Sequence, residues 1–187
     1  IQARRVIPGF HYMKSLLSVI MLCVLNSCRI EITNYSDSDY YACEPPSYIR
    51  EVILTRINAA RRQPRQCGNQ IFYPAPAVKW NQQLSQAAYR HANDMARYDF
   101  VAHLGSDGSQ ITIRVKDSGY VGTEFGEAIG AGYPAPDDMV TVWLTEPRDC
   151  LRIMNPGYQE IGAACAYRVQ PRSQYQFYWT LVLGRTN

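Results

Sequence analysis

Helical periodicity comes first in this chain and strand patterning comes last, and that order limits the folds open to it. From Tyr48 the apolar residues fall at Ile49, Val52, Ile53, Ile57 and Ala60. That 3.6-residue period predicts a helix over 48–62 with one buried face. Ser47, after Pro45 and Pro46, is its candidate N-cap. Glu51 in the first turn and Arg61 and Arg62 in the last suit the helix dipole. A second helix, capped by Asn81, runs to about Tyr98 with Leu84, Ala87, Ala88, Ala92, Met95 and Ala96 inward. His91 falls on that same face and reads as a core residue. "DDMVTVWLTE" predicts a third helix, capped by Asp137, with Met139, Val140, Trp143 and Leu144 inward. Pro147 opens a short fourth, ending before Asn155 and Pro156. "EIGAACAYRV" and "QFYWTLVLG" then read as an antiparallel pair of strands. Helices followed by a closing strand pair give an α+β class or a layered α/β/α arrangement. "SQITIRVKDSGY" fits a strand or a short helix, and "QPRQCGNQIFYPAPAVKW" reads as a loop.

The first residues read as an address. Met13-Lys14 begins a basic region, and "LLSVIMLCVL" over 16–25 has the length of a signal-peptide core, too short for a comfortable membrane span. "LNSC" then looks like a bacterial lipobox, with cleavage before Cys28 and lipid attachment to it. Ordinary secretion with cleavage further on is the alternative. The expected divisions are 1–12 upstream of the true start, 13–27 as lipoprotein signal peptide, 28–42 as a polar tether and 43–187 as one domain. These place the protein outside the cytoplasm: lipid-anchored in the cell envelope (outer membrane or periplasm in a Gram-negative cell), or secreted. Arg4, Arg5 and Lys14 are the only charges in residues 1–28, and beyond them 16 basic residues meet 16 acidic ones. The chain beyond residue 28 is formally neutral, so charge gives no support for nucleic-acid binding. Its partners are then expected to be the membrane, through the anchor, and a lipid or envelope component.

Four cysteines remain for the domain: Cys43, Cys67, Cys150 and Cys165. In an exported protein they read as two disulfides, with three connectivities open. The local pairs Cys43–Cys67 and Cys150–Cys165 are expected, because the flanking residues can reach back over the first helix. The alternative is free buried thiols.

Few residues can carry chemistry. The domain holds two histidines, His91 and His103, and no G-x-S-x-G turn. "GEAIGAG" lacks the spacing of a dinucleotide loop, and "GSDGS" reads as a turn. The polar set that remains is His103, Glu127, Glu146 and Asp149, which could bind a metal or perform acid-base work. Glu146 lies three residues after Trp143, near the same helix face.

The motifs "RINAARR", "LSQAAYRHANDMA", "DFVAHLGSDGS", "GEAIG", "VWLTEPRDCLRIMNP" and "YQEIGAACAY" occur in an order and spacing that resemble the CAP superfamily, in particular its bacterial SCP-like exported members. The resemblance implies an α-β-α sandwich, a helix over 110–117, and a cleft lined by two histidines and two acids. His103 matches the first histidine and Glu127 the glutamate of a Gly-Glu-Asn-Ile motif, with Ala128 in place of the Asn. Glu146 matches an acidic position, and Asp149 stands where bacterial relatives usually carry a histidine. A divalent cation held by His103 and Glu127 would then face a harder, carboxylate-rich set, suited to magnesium or calcium rather than zinc. The resemblance also favours Cys150–Cys165 as a pair. Some members bind sterols or other lipids, and no single reaction is agreed across the family. The reading is therefore a binding module first, a structural remnant second, and third a hydrolase using His103 as base with Glu127 as its partner.

Overall fold

The computed structural model describes residues 20–24, 27–31, 43, 45–170 and 172–186. The chain divides into two units, Ile1–Ser36 and Asp37–Asn187. In the first, β1 (Ile20–Val24) and β2 (Ser27–Glu31) pair antiparallel, with Cys23 opposite Cys28. The start expected at Met13 and the tether beyond Glu31 lie outside the described residues. No helix among the described residues is long and apolar enough to cross a membrane.

The second unit is an α-β-α sandwich. Its elements run α1 (Pro46–Arg61), β3 (Arg65–Cys67), β4 (Gln70–Phe72), β5 (Lys79–Trp80), α2 (Gln82–Tyr98), α3 (Ile111–Asp117), β6 (Glu124–Ala131), α4 (Pro136–Thr145), α5 (Pro147–Met154), β7 (Glu160–Tyr167) and β8 (Phe177–Arg185). The central sheet has the order β5-β7-β8-β6, antiparallel except for the short β5–β7 pair. Strand alternation sends side chains to two cores. Ile161, Ala163, Cys165, Trp179, Leu181 and Leu183 join α1 and α4 on one face. Ala164, Ala166, Tyr178 and Val182 meet α2 and α3 on the other. Both faces are covered, which explains the nearly unbroken apolar run of β8.

The long helices follow the sequence reading, with differences at their starts. α1 begins at Pro46 with Pro45 in the cap position and no side-chain cap, so Ser47 lies inside the first turn and Glu51 beyond it. Proline already holds the φ that a first helical turn needs. α4 likewise starts at Pro136 after Ala135, and Asp137 sits in its first turn instead of capping it. Asn81 caps α2, accepting from the N–H groups of Gln83 at 2.9 Å and Leu84 at 3.1 Å. The helix alternative for 110–117 is the one realised. The stretch read as a loop holds the β3–β4 hairpin and β5.

The disulfides correct the expected pairing. Cys43 bonds Cys165 and Cys67 bonds Cys150, with Cα separations of 5.6 and 5.4 Å. The local pairs fail because regular elements carry their members apart. The 16 residues of α1 span about 24 Å between the segment of Cys43 and that of Cys67. Cys165 lies five residues into β7, about 16 Å along the strand from its start, whereas Cys150 faces β3 from α5. The bridges are nested, 83 residues within 122. The inner one closes a loop worth roughly 4.5 kcal/mol in the chain-entropy model. Given the inner bridge, the outer one closes about 40 residues, worth roughly 4 kcal/mol.

Arg61, on the buried face of α1, is fully buried. It donates to the carbonyls of Pro76 (2.8 Å), Ile153 (2.6 Å), Asn155 (2.9 Å) and Tyr158 (3.1 Å). Burial lowers its pKa to about 10. It fixes the end of α5 and the turn that carries Tyr158, both of which border the site described next.

Candidate functional site

The site forms where the loop after α2 meets α3 and β6. α2 ends at Asp99, in the left-handed region with φ 58°. The loop that follows is held from below by His91. This side chain is completely buried, and its Nε2–H donates to the Ala102 carbonyl at 2.8 Å. Burial lowers the His91 pKa, against the pull of the Glu127 charge, so the ring is neutral with Nε2 as the protonated nitrogen. Gly105 to Ser109 form the expected turn, closed by Gly108 N–H to the Gly105 carbonyl at 2.9 Å, with Gly108 at φ 77°. Glycine suits that positive φ. Together these contacts set His103 at the loop's start.

Glu127 rises from the middle of β6, 4% exposed. His103 Nδ1–H donates to its Oε1 at 2.8 Å. Arg114 of α3 donates to its Oε2 at 2.6 Å. Arg114 is itself 2% exposed and also donates to the carbonyls of Ser109 (2.6 Å) and His103 (3.1 Å). It thus ties carboxylate, imidazole backbone and turn together. Burial alone would raise the Glu127 pKa. The His103 hydrogen bond and the Arg114 charge outweigh it and hold the carboxyl below its ordinary value. The fixed Nδ1 contact leaves His103 Nε2 as the nitrogen open to a ligand, on a side chain that is 53% exposed.

The other two expected residues lie on α4's end and α5. Glu146 joins the two helices and is exposed. Asp149 is buried and accepts from Arg152 at 3.0 Å. Burial, aided by the Glu146 charge, raises the Asp149 pKa to about 6 against Arg152 and His103. His103 and Glu127 therefore meet directly, while Asp149 feels the His103 and Glu146 charges, and among the described residues no hydrogen bond or ion pair joins Glu146 to His103. Sequence reasoning missed Arg114, Arg152 and Tyr158. For Arg114 a signal existed: as a helix, 111–117 puts it on the apolar stripe with Ile111 and Val115, where a cation needs a buried carboxylate.

A cleft of about 390 Å³ opens here, lined by His103, Leu104, Ile111, Phe125, Arg152 and Tyr158 among others. The residues present do not fit a divalent cation at His103 and Glu127. Both Glu127 oxygens are occupied, one of them by a permanent positive charge, and Asp149 carries its own guanidinium. Among the described residues no three His, Cys, Asp or Glu side chains group to hold a metal.

The α-β-α sandwich, with His103 and Glu127 in contact at the edge of its sheet, matches a known family and its fold. The chain belongs to the cysteine-rich secretory protein family, CAP, whose model matches residues 54–183. Solved structures share the fold. An extracellular SCP-domain protein from Bacillus anthracis superposes with a TM-score of 0.62 at 17% identity, over 86% of this chain and 47% of its own length. An outer surface protein from Borrelia burgdorferi gives 0.62 at 13% identity, over 77% and 97%. A cysteine-rich secretory protein from Staphylococcus aureus gives 0.54 at 14%, over 76% and 40%. The chain thus spans about half the length of the Bacillus protein. No curated protein matches the sequence significantly.

Proposed function

We propose that the chain is an exported binding module, anchored through a lipid on Cys28, whose cleft takes an amphipathic lipid or cell-envelope fragment carrying an anionic group. Export is supported by the apolar run over 16–25 and by relatives described as extracellular, outer-surface or secretory. The observation that carries the binding reading is the locked imidazole. Glu127 and Arg114 fix His103 by Nδ1, so Nε2 meets a ligand without reorganisation. Arg152 supplies a partly exposed positive charge, and Leu104, Ile111, Phe125 and Tyr158 supply apolar wall. No Ser, Thr or Cys side chain lines the cleft among the described residues, so a serine- or cysteine-hydrolase mechanism has no nucleophile there. The test is equilibrium binding of fluorescent fatty acids and of soluble envelope fragments to the wild type and to His103→Ala. Saturable binding lost in the variant supports the reading, and equal binding by both ends it. Membrane fractionation of Cys28→Ser tests the anchor, with release into the soluble fraction expected.

One observation favours a second reading, a hydrolase. With a pKa raised to about 6 and in the field of His103, Asp149 exchanges a proton within the range where an acid or base works near an oriented imidazole. Turnover of any envelope substrate by the wild type but not by Asp149→Asn would select it.

A further inference from the structure

A second depression shares no residue with the cleft. It has a volume of about 560 Å³, within the range of small-molecule sites, and runs between the later turns of α2 and the segment leaving β7. Tyr89, Asn93 and Arg97 line it from α2, and Tyr167, Arg168 and Gln170 from the other side. Tyr89 also borders a smaller pocket of about 250 Å³, which adjoins this trough along α2.

No acidic side chain lines this depression. Neither Arg97 nor Arg168 is salt-bridged among the described residues. Arg168 is held in place by neutral acceptors: the carbonyls of Ala96 and Arg97 at 2.5 and 2.6 Å, and Gln170 Oε1 at 2.6 Å. Its Nε is buried without an acceptor. Asp99, which feels the Arg168 charge, is already engaged by the Tyr178 hydroxyl and the Gln174 N–H. Arg97 rests over the Tyr98 ring, 5.5 Å from its centre. The trough therefore offers two guanidinium groups without a salt-bridge partner, that of Arg168 held by backbone carbonyls, two tyrosine rings and two side-chain amides.

We propose that this trough is a second binding site, for an acidic glycan. Its carboxylates would pair with the open planar fork of Arg97, and Arg168, with one Nη2 hydrogen left beside Gln170, adds its positive charge. Tyr89 and Tyr167 offer flat faces for the sugar rings, and Asn93 and Gln170 offer donors and acceptors for hydroxyls. A neutral lipid would leave both cations buried beneath it unpaired, at a desolvation cost. The site stands apart from the cleft and does not depend on the reading given for it.

The test is affinity electrophoresis of the full chain through gels containing polygalacturonate or alginate, with dextran as the neutral control. The wild type is expected to be retarded by the acidic polymers alone, and less so as salt screens the charges. Tyr89 and Arg97 are exposed, so Tyr89→Ala and Arg97→Gln keep the fold, which thermal melts verify. Each is expected to weaken retardation about tenfold, the loss of one good contact, while His103→Ala leaves it unchanged. No retardation of the wild type, or retardation of Tyr89→Ala and Arg97→Gln equal to that of the wild type, overturns the proposal. So does retardation by polyglutamate as strong as by the glycans, which would make the partner an acidic peptide. Loss in His103→Ala would return the binding to the cleft.

Discussion

Glu127 and Asp149 are both buried carboxylates within reach of the His103 charge, yet their affinities for protons move in opposite directions. Glu127 is met by two donors on two oxygens, one of them the fully buried Arg114. Asp149 has one partner, the partly exposed Arg152, and a like charge nearby in Glu146. Burial is common to both; complete pairing is not. One half of the site is thus a rigid, ionised scaffold. The other half keeps a carboxyl that changes charge near neutral pH.

The comparison can be broken most forcefully at its rigid side. Glu127→Gln removes the anion but leaves Arg114 buried, and is expected to cost about 3–5 kcal/mol in chemical denaturation. A loss below 1 kcal/mol would show that Arg114 is solvated. Adding Arg114→Met to that variant should recover a large part of the loss, because the stranded charge goes with it. At the other carboxylate the sign reverses. The folded-state pKa of Asp149 lies above its ordinary value, so the native state holds an extra proton between about pH 4 and 6. Stability should fall as pH rises through that window, by about 2–3 kcal/mol at most. Asp149→Asn is expected to flatten this slope and to raise stability at pH 7 by about 1–2 kcal/mol. For Glu127 the depressed pKa predicts stability that is present above the ordinary glutamate range and lost as pH falls through the folded-state value. The smallest effect belongs to His103→Ala. Half-exposed, His103 should contribute less than about 1 kcal/mol to stability while ligand binding at the cleft disappears, as calorimetry would show.

The sequence carried the long helices and the closing strands because their burial is periodic. β6 escaped notice because glycines interrupt its pattern. Tyr158 packs against Gly126 and Met139 against Gly130, so side chains from other elements occupy the space a Cβ would take. β3 and β4 are three residues each, joined by a turn with Gly68 at φ 58°, and too short to show alternation. His103 and Glu127 were legible through motif order, and the structure brings them into contact. Arg114 was hidden because the residue pattern of 109–120 fits strand or helix, and its partner is obvious only once Ile111, Arg114 and Val115 share a face. The disulfides were misread because loop arithmetic says what can close, not what the sheet places side by side.

The outer bridge has a mechanical corollary. Cys165 lies inside β7, a strand with hydrogen-bonded neighbours on both sides, and Cys43 precedes α1. Tension arriving along the chain from the N-terminal side would pass through the sulfurs straight into the middle of the sheet. α1 would be spared that pull, and yielding would require tearing β7 from β8 rather than unwinding a helix end.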